Sequence, residues 1–395
     1  MTPAVTFSTR VHDAVDDLPP EALDLLRSTG TLYDTPEWLR YCEASSGGLL
    51  RHITLQDGRG RSVGLATVRI VRDEKVMSLY NLRSLVDGLP SDPAAEAGEP
   101  PLFPSAVAAV SGAHCVLLPD PAADDASRAA QRGALARAVV ALAAAEGCTA
   151  TGFLYLTADA AQDVAAALGD GAGTPFLVAA QTQLTGGWPD FEGYLATLRS
   201  PRRNKIRRER KQFAESGITT RVLYGTQELG EATARLQVGL RERYGAAGTV
   251  ESVMRDYADL SAHVDDRVRV FLCEREGRPI GMSLALADGD RLHVRLAGFD
   301  YATAGADFAY FNAVYYEPIL WGIEHGVTHY SFGTGTYAAK LTRGCVPVPL
   351  YGVVQWPEPL RERAARHLAG QETALRAQLG LPSPGGSDLR EGAQR

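Results

Sequence analysis

Residues 267–300 read RVRVFLCEREGRPIGMSLALADGDRLHVRLAGFD, and this stretch predicts the centre of a β-sheet. It contains three runs of apolar and β-branched residues, which favour β-strands. The runs are separated by two short turn signals, EG at 276–277 and DGD at 288–290. Because such short turns join neighbouring strands, the stretch predicts three consecutive antiparallel strands.

The sequence after these strands predicts a loop, a helix and one more strand. YATAGAD (301–307) has the composition of a loop, FAYFNAVYYEPILWGIEHG (308–326) that of a helix, and VTHYSFG (327–333) that of a strand. A helix between two strands permits parallel pairing, whereas the short turns before it require antiparallel pairing. We therefore expect a mixed sheet with helices on its faces.

The first half of the chain repeats this layout. SVGLATVRI follows a DG turn at 57–58, as PIGMSLALA follows the EG turn, and an Ala-rich helix, AAEGC and a strand parallel the later helix, GIEHGV and a strand. Two copies of one unit explain this order economically. The prediction is an α/β (α+β) fold of two tandem units, each a mixed, mainly antiparallel sheet flanked by helices. Their expected bounds are 1–180 and 181–357, followed by a C-terminal helix and flexible tail at 358–395.

A strongly basic segment, DFEGYLATLRSPRRNKIRRERKQFAESG (190–217), opens the second half. SP at 200–201 signals a helix start and the glycine at 217 a stop, so we call this predicted element the basic helix. Leu198, Ile206 and Phe213 form a narrow apolar stripe, and from 199 to 213 eight Arg and Lys face one acid, Glu209, in a chain of net charge −7. This local charge favours an anionic partner, although a solvated face around a core stripe gives the same pattern.

Composition excludes several other classes of protein. The 395 residues are 45% hydrophobic and 22% charged, which is typical of soluble globular domains. The five cysteines are scattered without CxxC spacing, so neither disulfides nor zinc is indicated. The N-terminus has no apolar signal-peptide core, and no apolar run approaches the ~20 residues that span a bilayer. A cytoplasmic location is the expectation.

The order of these motifs resembles the GNAT acyltransferase fold, present twice. YLATLRSPRRNKIRRERKQFAESG together with WGIEHGVTHYSFGTGTYAAKLTRG resembles one branch, the Fem-like, peptidoglycan-biosynthesis-like GNAT proteins. The resemblance covers residues 180–350 well and residues 30–170 through layout. It implies an enzyme that takes an aminoacyl group from a charged tRNA, with a lysine after the last core strand, matched here by Lys340.

One departure bears on the donor. GNAT proteins that bind acetyl-CoA cradle its pyrophosphate on a Gly-rich loop at a helix start. Here that place reads YATAGADFAYF, with only Gly305, and with Asp307 where a diphosphate would lie. This argues against CoA, so we expect aminoacyl-tRNA as co-substrate, no tightly bound cofactor, and acyl-CoA as the alternative. The expected phosphate contacts are Arg199, Arg202, Arg203, Lys205, Arg207, Arg208 and Lys211.

Acyl transfer to an amine needs a deprotonated amine, a stabilised oxyanion and a leaving group that is held or protonated. In GNAT-like sites a backbone N–H at splayed central strands can serve the oxyanion. The catalytic candidates are Lys340, Asp300, Tyr310 and Glu317. Asp300 reads equally as a turn cap, Tyr310 as a core aromatic, and Glu317 as a solvent-facing residue before a helix-kinking proline.

Substrate-binding candidates lie on neighbouring segments. Arg343 follows a Gly-rich loop and suits a phosphate or carboxylate. His293 and Arg295 alternate on one strand and so share a face, which is either a cleft wall or an exposed β face. Tyr301 and Tyr316 complete the set. No paired metal ligands occur in the sequence, so no metal is expected.

The leading hypothesis is therefore an aminoacyltransferase that forms an amide with a small-molecule or peptide amine, either a cell-wall precursor or a secondary metabolite. One alternative is an acyl-CoA-dependent N-acyltransferase on the same fold. Another is a non-catalytic GNAT pair that binds RNA or a partner. A central cleft filled by Phe299 and Phe308 would favour this alternative.

Overall fold

The computed structural model describes residues 6–45, 47, 49–73, 76–89, 101–243, 248–304 and 308–383. The chain forms two compact units: unit 1 comprises Met1–Ala180 with Pro349–Arg395, and unit 2 comprises Gln181–Val348. The sequence predicts a second unit over 181–357 and a separate C-terminal segment over 358–395. In the structure the end of the last strand and the last helix lie in unit 1, because that strand pairs within the unit 1 sheet.

The elements follow in chain order, with short 3-10 turns between some of them. The strands are β1 (Ser8–His12), β2 (Leu49–Gln56), β3 (Ser62–Val71), β4 (Ser105–Ala108), β5 (Leu117–Pro119), β6 (Ala150–Leu156), β7 (Phe176–Thr185), β8 (Ile218–Tyr224), β9 (Val268–Arg275), β10 (Arg278–Asp288), β11 (Arg291–Phe299), β12 (His329–Ser331) and β13 (Val346–Gln355). The helices are α1 (Pro20–Ser28), α2 (Pro36–Ser45), α3 (Asp125–Ala145), α4 (Ala158–Leu168), α5 (Phe191–Ala196), α6 (Ser200–Glu215), α7 (Glu231–Arg243), α8 (Val250–Val264), α9 (Tyr301–Ala304), α10 (Ala309–Phe311), α11 (Glu317–Glu324), α12 (Tyr337–Leu341) and α13 (Glu358–Leu379). A π turn, Asn312–Tyr316, joins α10 to α11.

Unit 2 is built on a sheet with the strand order β7-β12-β11-β10-β9-β8. Every pair in it is antiparallel except β11 with β12, which is parallel. The β9–β10 connection is the predicted EG turn, where Glu276 and Gly277 both have positive φ, 51° and 73°. Both central residues of a type I′ hairpin turn require that conformation.

Unit 1 repeats the same arrangement. Its strand order is β1-β2-β3-β4-β6-β13, with β4 and β6 as the parallel pair and β5 as an extra strand beside β3. The predicted pair of mixed, mainly antiparallel sheets flanked by helices is therefore confirmed. In unit 1 the sixth strand, β13, comes from much later in the chain than the other five, whereas β7 of unit 2 directly precedes β8.

Three details differ from expectation or fall outside it. No element was assigned to residues 246–266, where α8 lies; its cap pairs Thr249 with Ser252, without the Glu or Gln that marks a capping box in sequence. The helix predicted over 308–326 is interrupted by the π turn. Residues 90–100 and 244–247, residues 305–307 of the predicted loop, and most of the predicted tail lie outside the described residues.

The basic helix is α6, and its predicted apolar stripe is confirmed. Ile206 and Phe213 are buried in the core of unit 2, and Leu198 packs against that core. Burying side chains of this size stabilises a helix far more than its intrinsic propensity does. Within the described part of the chain, no helix is both long and apolar enough to cross a bilayer.

Candidate functional site

The parallel pair of unit 2 separates after three residues. Only 291–293 of β11 pair with β12, so β11 continues for six residues beyond its last partner, Ser331. The cause lies after Ser331: Phe332 N–H donates to Thr182 O at 2.9 Å, and Gly333 O accepts from Thr182 N–H at 3.2 Å. The chain thus follows β7 and leaves β11. From residue 294 onward β11 therefore has no described strand on that side, which is an arrangement in which backbone N–H groups can serve an oxyanion.

A β-bulge lies on β11 at this opening. Leu296 pairs with Leu284 and Val294 with Ala285 of β10, so Arg295 is the extra residue in the register between these two pairs. Bulges redirect side chains and are frequent next to active sites. The prediction that His293 and Arg295 share a face assumed strict alternation, which the bulge interrupts.

Lys340 lies beside the opening. Its Nζ donates to Gly333 O at 3.0 Å and to Thr334 O at 3.1 Å, and the residue is only 5% exposed. Burial lowers the pKa of Lys340 to about 8, because the charged amine loses water. Among the described residues no carboxylate lies within ion-pair distance of it. Near neutral pH this lysine can therefore exist both with and without its proton.

Arg343, three residues after Lys340, belongs to a buried polar cluster. Its Nε donates to the Tyr316 hydroxyl at 3.1 Å, its Nη2 to Glu209 Oε2 at 3.1 Å, and its Nη1 to Ala339 O at 2.9 Å. The Tyr316 hydroxyl also donates to Glu209 Oε2. Arg343 is 5% exposed and Glu209 0%, so all three guanidinium nitrogens are engaged by the protein. We call Glu209, Tyr316 and Arg343 the buried triad.

The π turn brings Tyr316 into this triad. Pro318 has no N–H, so the carbonyl four residues earlier, that of Val314, loses its usual helical donor. The wider turn at Asn312–Tyr316 accommodates this, and Ser283 Oγ donates to Ala313 O at 2.5 Å from the neighbouring strand. Burial raises the pKa of Tyr316, so its hydroxyl keeps its proton and remains a donor.

Glu317, the next residue, faces the basic helix. Arg210 Nη2 lies 3.9 Å from Glu317 Oε1, and the Arg210 guanidinium stacks over the Phe191 ring at 4.6 Å. Burial raises the pKa of Glu317, and Arg210 opposes that rise. The carboxylate is therefore partly shielded from solvent. Among the described residues, no contact directs it toward the β11 opening.

The outer face of the basic helix is exposed and cationic. Glu192 accepts from Arg207 Nη2 at 2.6 Å, and Glu215 lies 3.8 Å from Lys211 Nζ, so these two cations are partly countered. Arg203 is half-buried and donates to Leu198 O at 2.8 Å. The exposed cations are Arg199, Arg202, Lys205, Arg207, Arg208 and Lys211.

Three of these exposed cations, Arg199, Arg202 and Arg208, form no side-chain ion pair or hydrogen bond with any residue that the structure describes. The one acid within this run of bases, Glu209, points inward. Its charge is therefore hidden from a partner on the outer face, and the field there is set by the arginines.

His293 is buried, with 7% of its surface exposed, so the alternative of an exposed β face does not hold for it. It lies opposite Ser331, the last paired position before the opening. Burial lowers the pKa of His293 to about 4, so the ring is neutral at physiological pH. A neutral ring cannot form an ion pair with an acidic substrate, although it can still exchange hydrogen bonds.

The remaining candidates lie at the end of β11 and in the following helix. Asp300 Oδ1 accepts from the backbone N–H two residues later at 3.0 Å, which is the turn-cap geometry. The Arg243 guanidinium stacks over Tyr301 at 4.1 Å, and Tyr310 packs edge-on against Phe299 at 5.3 Å. These contacts match the structural alternatives for Asp300 and Tyr310. Gly305 and Asp307 lie outside the described residues.

The structure thus brings together Lys340, Arg343 and Tyr316, and it adds Glu209, which the sequence analysis did not select. A signal for Glu209 was present: it stands three residues after Ile206 and four before Phe213, which is the spacing of the apolar stripe. In the described residues no group of three His, Cys, Asp or Glu is placed to hold a metal.

The chain is similar to known proteins in both sequence and structure. The model of the FemAB-like family, described as peptidoglycan biosynthesis/recognition, matches residues 114–380. No curated protein matches the chain. The crystal structure of FemX has a TM-score of 0.57 at 13% identity and covers 90% of this chain and 99% of FemX.

Two further solved structures have the same fold. A tandem GNAT protein from the clavulanic acid biosynthesis pathway has a TM-score of 0.52 at 13% identity, covering 88% of this chain and 98% of its own. A conserved protein of unknown function from Bacteroides thetaiotaomicron has a TM-score of 0.52 at 11% identity, covering 88% and 99%. At such identities the likeness shows the fold, whereas the family model, which matches more than half of the chain, shows membership. The chain belongs to the FemAB-like family and has the fold of the tandem GNAT protein.

Proposed function

We propose that the protein transfers an aminoacyl group from aminoacyl-tRNA to the amine of a small-molecule or peptide acceptor. The observation that carries the proposal is the basic helix, whose outer face presents Arg199, Arg202 and Arg208 without a protein counterion among the described residues while Glu209 is buried. Several exposed cations on one helix suit a nucleic acid backbone. Because charged tRNA is made in the cytoplasm, the proposed reaction belongs there.

The acceptor class is proposed from the family. The family description names peptidoglycan biosynthesis or recognition, which favours a cell-wall precursor. The tandem GNAT neighbour belongs to the clavulanic acid pathway, so a secondary metabolite remains the second choice of acceptor. The word biosynthesis in the family description favours an enzyme over a non-catalytic pair.

The proposed chemistry takes place where β11 separates from β12. The acceptor amine attacks the ester carbonyl, a C–N bond forms, and the C–O bond to the tRNA ribose breaks. Backbone N–H groups on the free edge of β11 hold the oxyanion. Lys340, whose pKa is about 8, takes the proton that the amine loses and returns it to the ribose oxygen.

The first experiment measures binding of unfractionated tRNA against KCl concentration by fluorescence anisotropy. The triple variant R199A/R202A/R208A is compared with R207A/K211A, whose cations are already countered by Glu192 and Glu215. If three phosphate contacts are lost, the slope of log K against log salt flattens by about 2 to 3 units. In the control variant R207A/K211A the slope should flatten by less than about half of the change in the triple variant. Absence of binding to the wild-type protein at low salt would contradict the proposal.

One observation supports acyl-CoA as the competing donor. The description of the tandem GNAT protein of the clavulanic acid pathway, 'without AcCoA', relates that protein to an acyl-CoA. A panel of acyl-CoA thioesters and a mixture of charged tRNAs, both assayed with amine acceptors, separates the two donors. Transfer from a thioester together with no transfer from charged tRNA would replace the present proposal.

A further inference from the structure

Glu209 occupies an unusual position for a charged side chain. It lies within the basic helix among eight cations, yet it is 0% exposed and its Oε2 accepts from both Tyr316 and Arg343. Its Oε1 has no hydrogen-bond partner among the described residues, and Lys205 Nζ lies 3.9 Å away. A helix that only needed solubility or phosphate contacts would not bury a carboxylate, because desolvating it is costly.

Arg343, the partner of Glu209, also bonds to the residue that precedes Lys340. Arg343 Nη1 donates to Ala339 O, the carbonyl next to Lys340 in α12, and Nη2 of the same guanidinium donates to Glu209. The guanidinium also lies over the Phe311 ring at 3.7 Å. One planar, rigid group therefore joins the basic helix, the segment before the π turn and α12.

We propose that Glu209 is a positioning residue. Through Arg343 it locks the basic helix to the short helix that carries Lys340, so that the anion-binding surface and the buried amine keep one fixed geometry. The consequence for catalysis rests on the proposed function, whereas the lock itself does not.

The burial of Lys340 is the quantity that reports on this lock. α12 spans only Tyr337–Leu341 and is too short to be stable alone, so its position depends on contacts such as those of Arg343. If the lock breaks, water reaches Lys340 and its pKa moves toward that of an exposed lysine. Cys345 is the titratable group that acts on Lys340; its own pKa is raised to about 12 by burial, so it stays neutral.

The test uses the full chain and needs no substrate. Competitive acetylation of Lys340 by acetic anhydride, followed across pH by mass spectrometry, gives a midpoint expected near pH 8 in the wild-type protein. In Glu209→Gln the midpoint should rise by about one pH unit or more. Tyr316→Phe removes the hydroxyl that donates to Glu209 and accepts from Arg343, but it leaves the Glu209–Arg343 pair, so it should shift the midpoint less and serves if the first variant does not fold.

A matched control exists in unit 1. Glu372 and Arg376 form another buried ion pair, with 2.7 Å between Oε1 and Nε, within α13. Glu372→Gln breaks that pair and should leave the Lys340 midpoint unchanged. An unchanged midpoint in folded Glu209→Gln, or an equal shift in the control, overturns the proposal.

Binding of unfractionated uncharged tRNA separates this inference from the proposed function. Glu209→Gln leaves every exposed cation in place, so its Kd should stay within about twofold of wild type. A wild-type protein that binds no tRNA contradicts the proposed function and leaves the labelling result standing. A Kd that weakens as much in Glu209→Gln as in R199A/R202A/R208A contradicts the inference, because Glu209 would then act on the surface itself.

Discussion

The two units have the same strand order, but their parallel pairs differ. In unit 1 every residue of β4 pairs with β6, from Ser105 opposite Ala150 to Ala108 opposite Phe153. In unit 2 only three of the nine residues of β11 pair with β12. In unit 1 the pairing thus ends where β4 ends, whereas in unit 2 β11 runs on for six residues without β12, and this is where the proposed chemistry takes place.

The segments after these pairs differ in the same sense. In unit 1, Thr157 caps α4 directly after β6, and the chain passes at once into a regular helix. In unit 2, Gly333 and Gly335 have positive φ, 70° and 74°, and the turn they form directs two carbonyls toward Lys340. The short glycine turn in unit 2 is therefore what distinguishes its candidate active site from the equivalent, purely structural junction in unit 1.

Replacing Lys340 tests this contrast most strongly. Lys340→Met should lower the rate of acyl transfer by about 10²–10⁴-fold, because it removes the proposed proton carrier. Thr157→Ala, at the equivalent junction of unit 1, should leave the rate within about twofold, since a lost cap affects only stability. Rates are measured at saturating donor and acceptor, and a near wild-type rate in Lys340→Met would refute its role.

Each unit also buries an arginine, and their loss should differ in size. Arg343→Met strands the Glu209 carboxylate without its partner, which should cost about 3–5 kcal/mol of unfolding free energy. Arg69→Met in unit 1 should cost about 1–3 kcal/mol, because Arg69 donates to the neutral Gly47 carbonyl and lies over the Tyr80 ring. Urea denaturation measures the unfolding free energy of both variants. Equal losses would show that the buried triad contributes no more to stability than the contacts of Arg69.

The histidines of the two units should respond to pH in opposite directions. The pKa of His293 in unit 2 is lowered to about 4, so below pH 6.5 the unfolded state binds more protons and stability falls. Between pH 7.5 and 5 this amounts to about 2 kcal/mol, which His293→Gln should remove.

In unit 1, burial lowers the pKa of His114 but bonding to Asp34 outweighs it, so the net pKa is raised. Its stabilisation is present below pH 6.5 and is lost as pH rises through the folded pKa. Unfolding free energies of His114→Gln across pH 5 to 9 measure this. A wild-type protein that is equally stable from pH 7.5 to 5, with no change in His293→Gln, would contradict the expected asymmetry.

The smallest expected effect concerns the helix between the parallel strands, which is regular in unit 1 as α3 and contains the π turn in unit 2. Ser283→Ala removes the hydroxyl that donates to Ala313 O within that turn. The loss should be about 1 kcal/mol, as for one neutral hydrogen bond. Thermal unfolding of this variant checks the figure, and no change in Tm would mean that water replaces the hydroxyl.

Local patterns in the sequence predicted much of the fold. The EG and DG turns, the apolar runs and the stripe Ile206–Phe213 each fix their element through near neighbours in the chain. The π turn was not predicted, because Pro318 signals only that the helix is disturbed and not how the disturbance is accommodated. Splayed central strands were expected from the resemblance, but local residues do not predict where β11 separates, since this follows from hydrogen bonds of Thr182 with Phe332 and Gly333, 150 and 151 residues later.

The candidate site shows the same limit. Lys340 was selected through resemblance, and its burial agrees with a chemical role. Arg343 was expected to meet substrate, but a sequence does not reveal that Glu209, 134 residues earlier, engages the guanidinium first. For Asp300 and Tyr310 the residue type allowed two roles, and only coordinates distinguish a cap or a core ring from a catalytic group.

The late strand β13 has a consequence for how the protein is made. Residues 349–355 complete the unit 1 sheet beside β6, although the rest of that sheet ends before residue 181. During synthesis the unit 1 sheet therefore cannot be completed until about 170 further residues have left the ribosome. This takes on the order of 10 s at ordinary elongation rates. Until then β6 lacks its neighbour, and its open edge is a place where a chaperone can act or a nascent chain can misassociate.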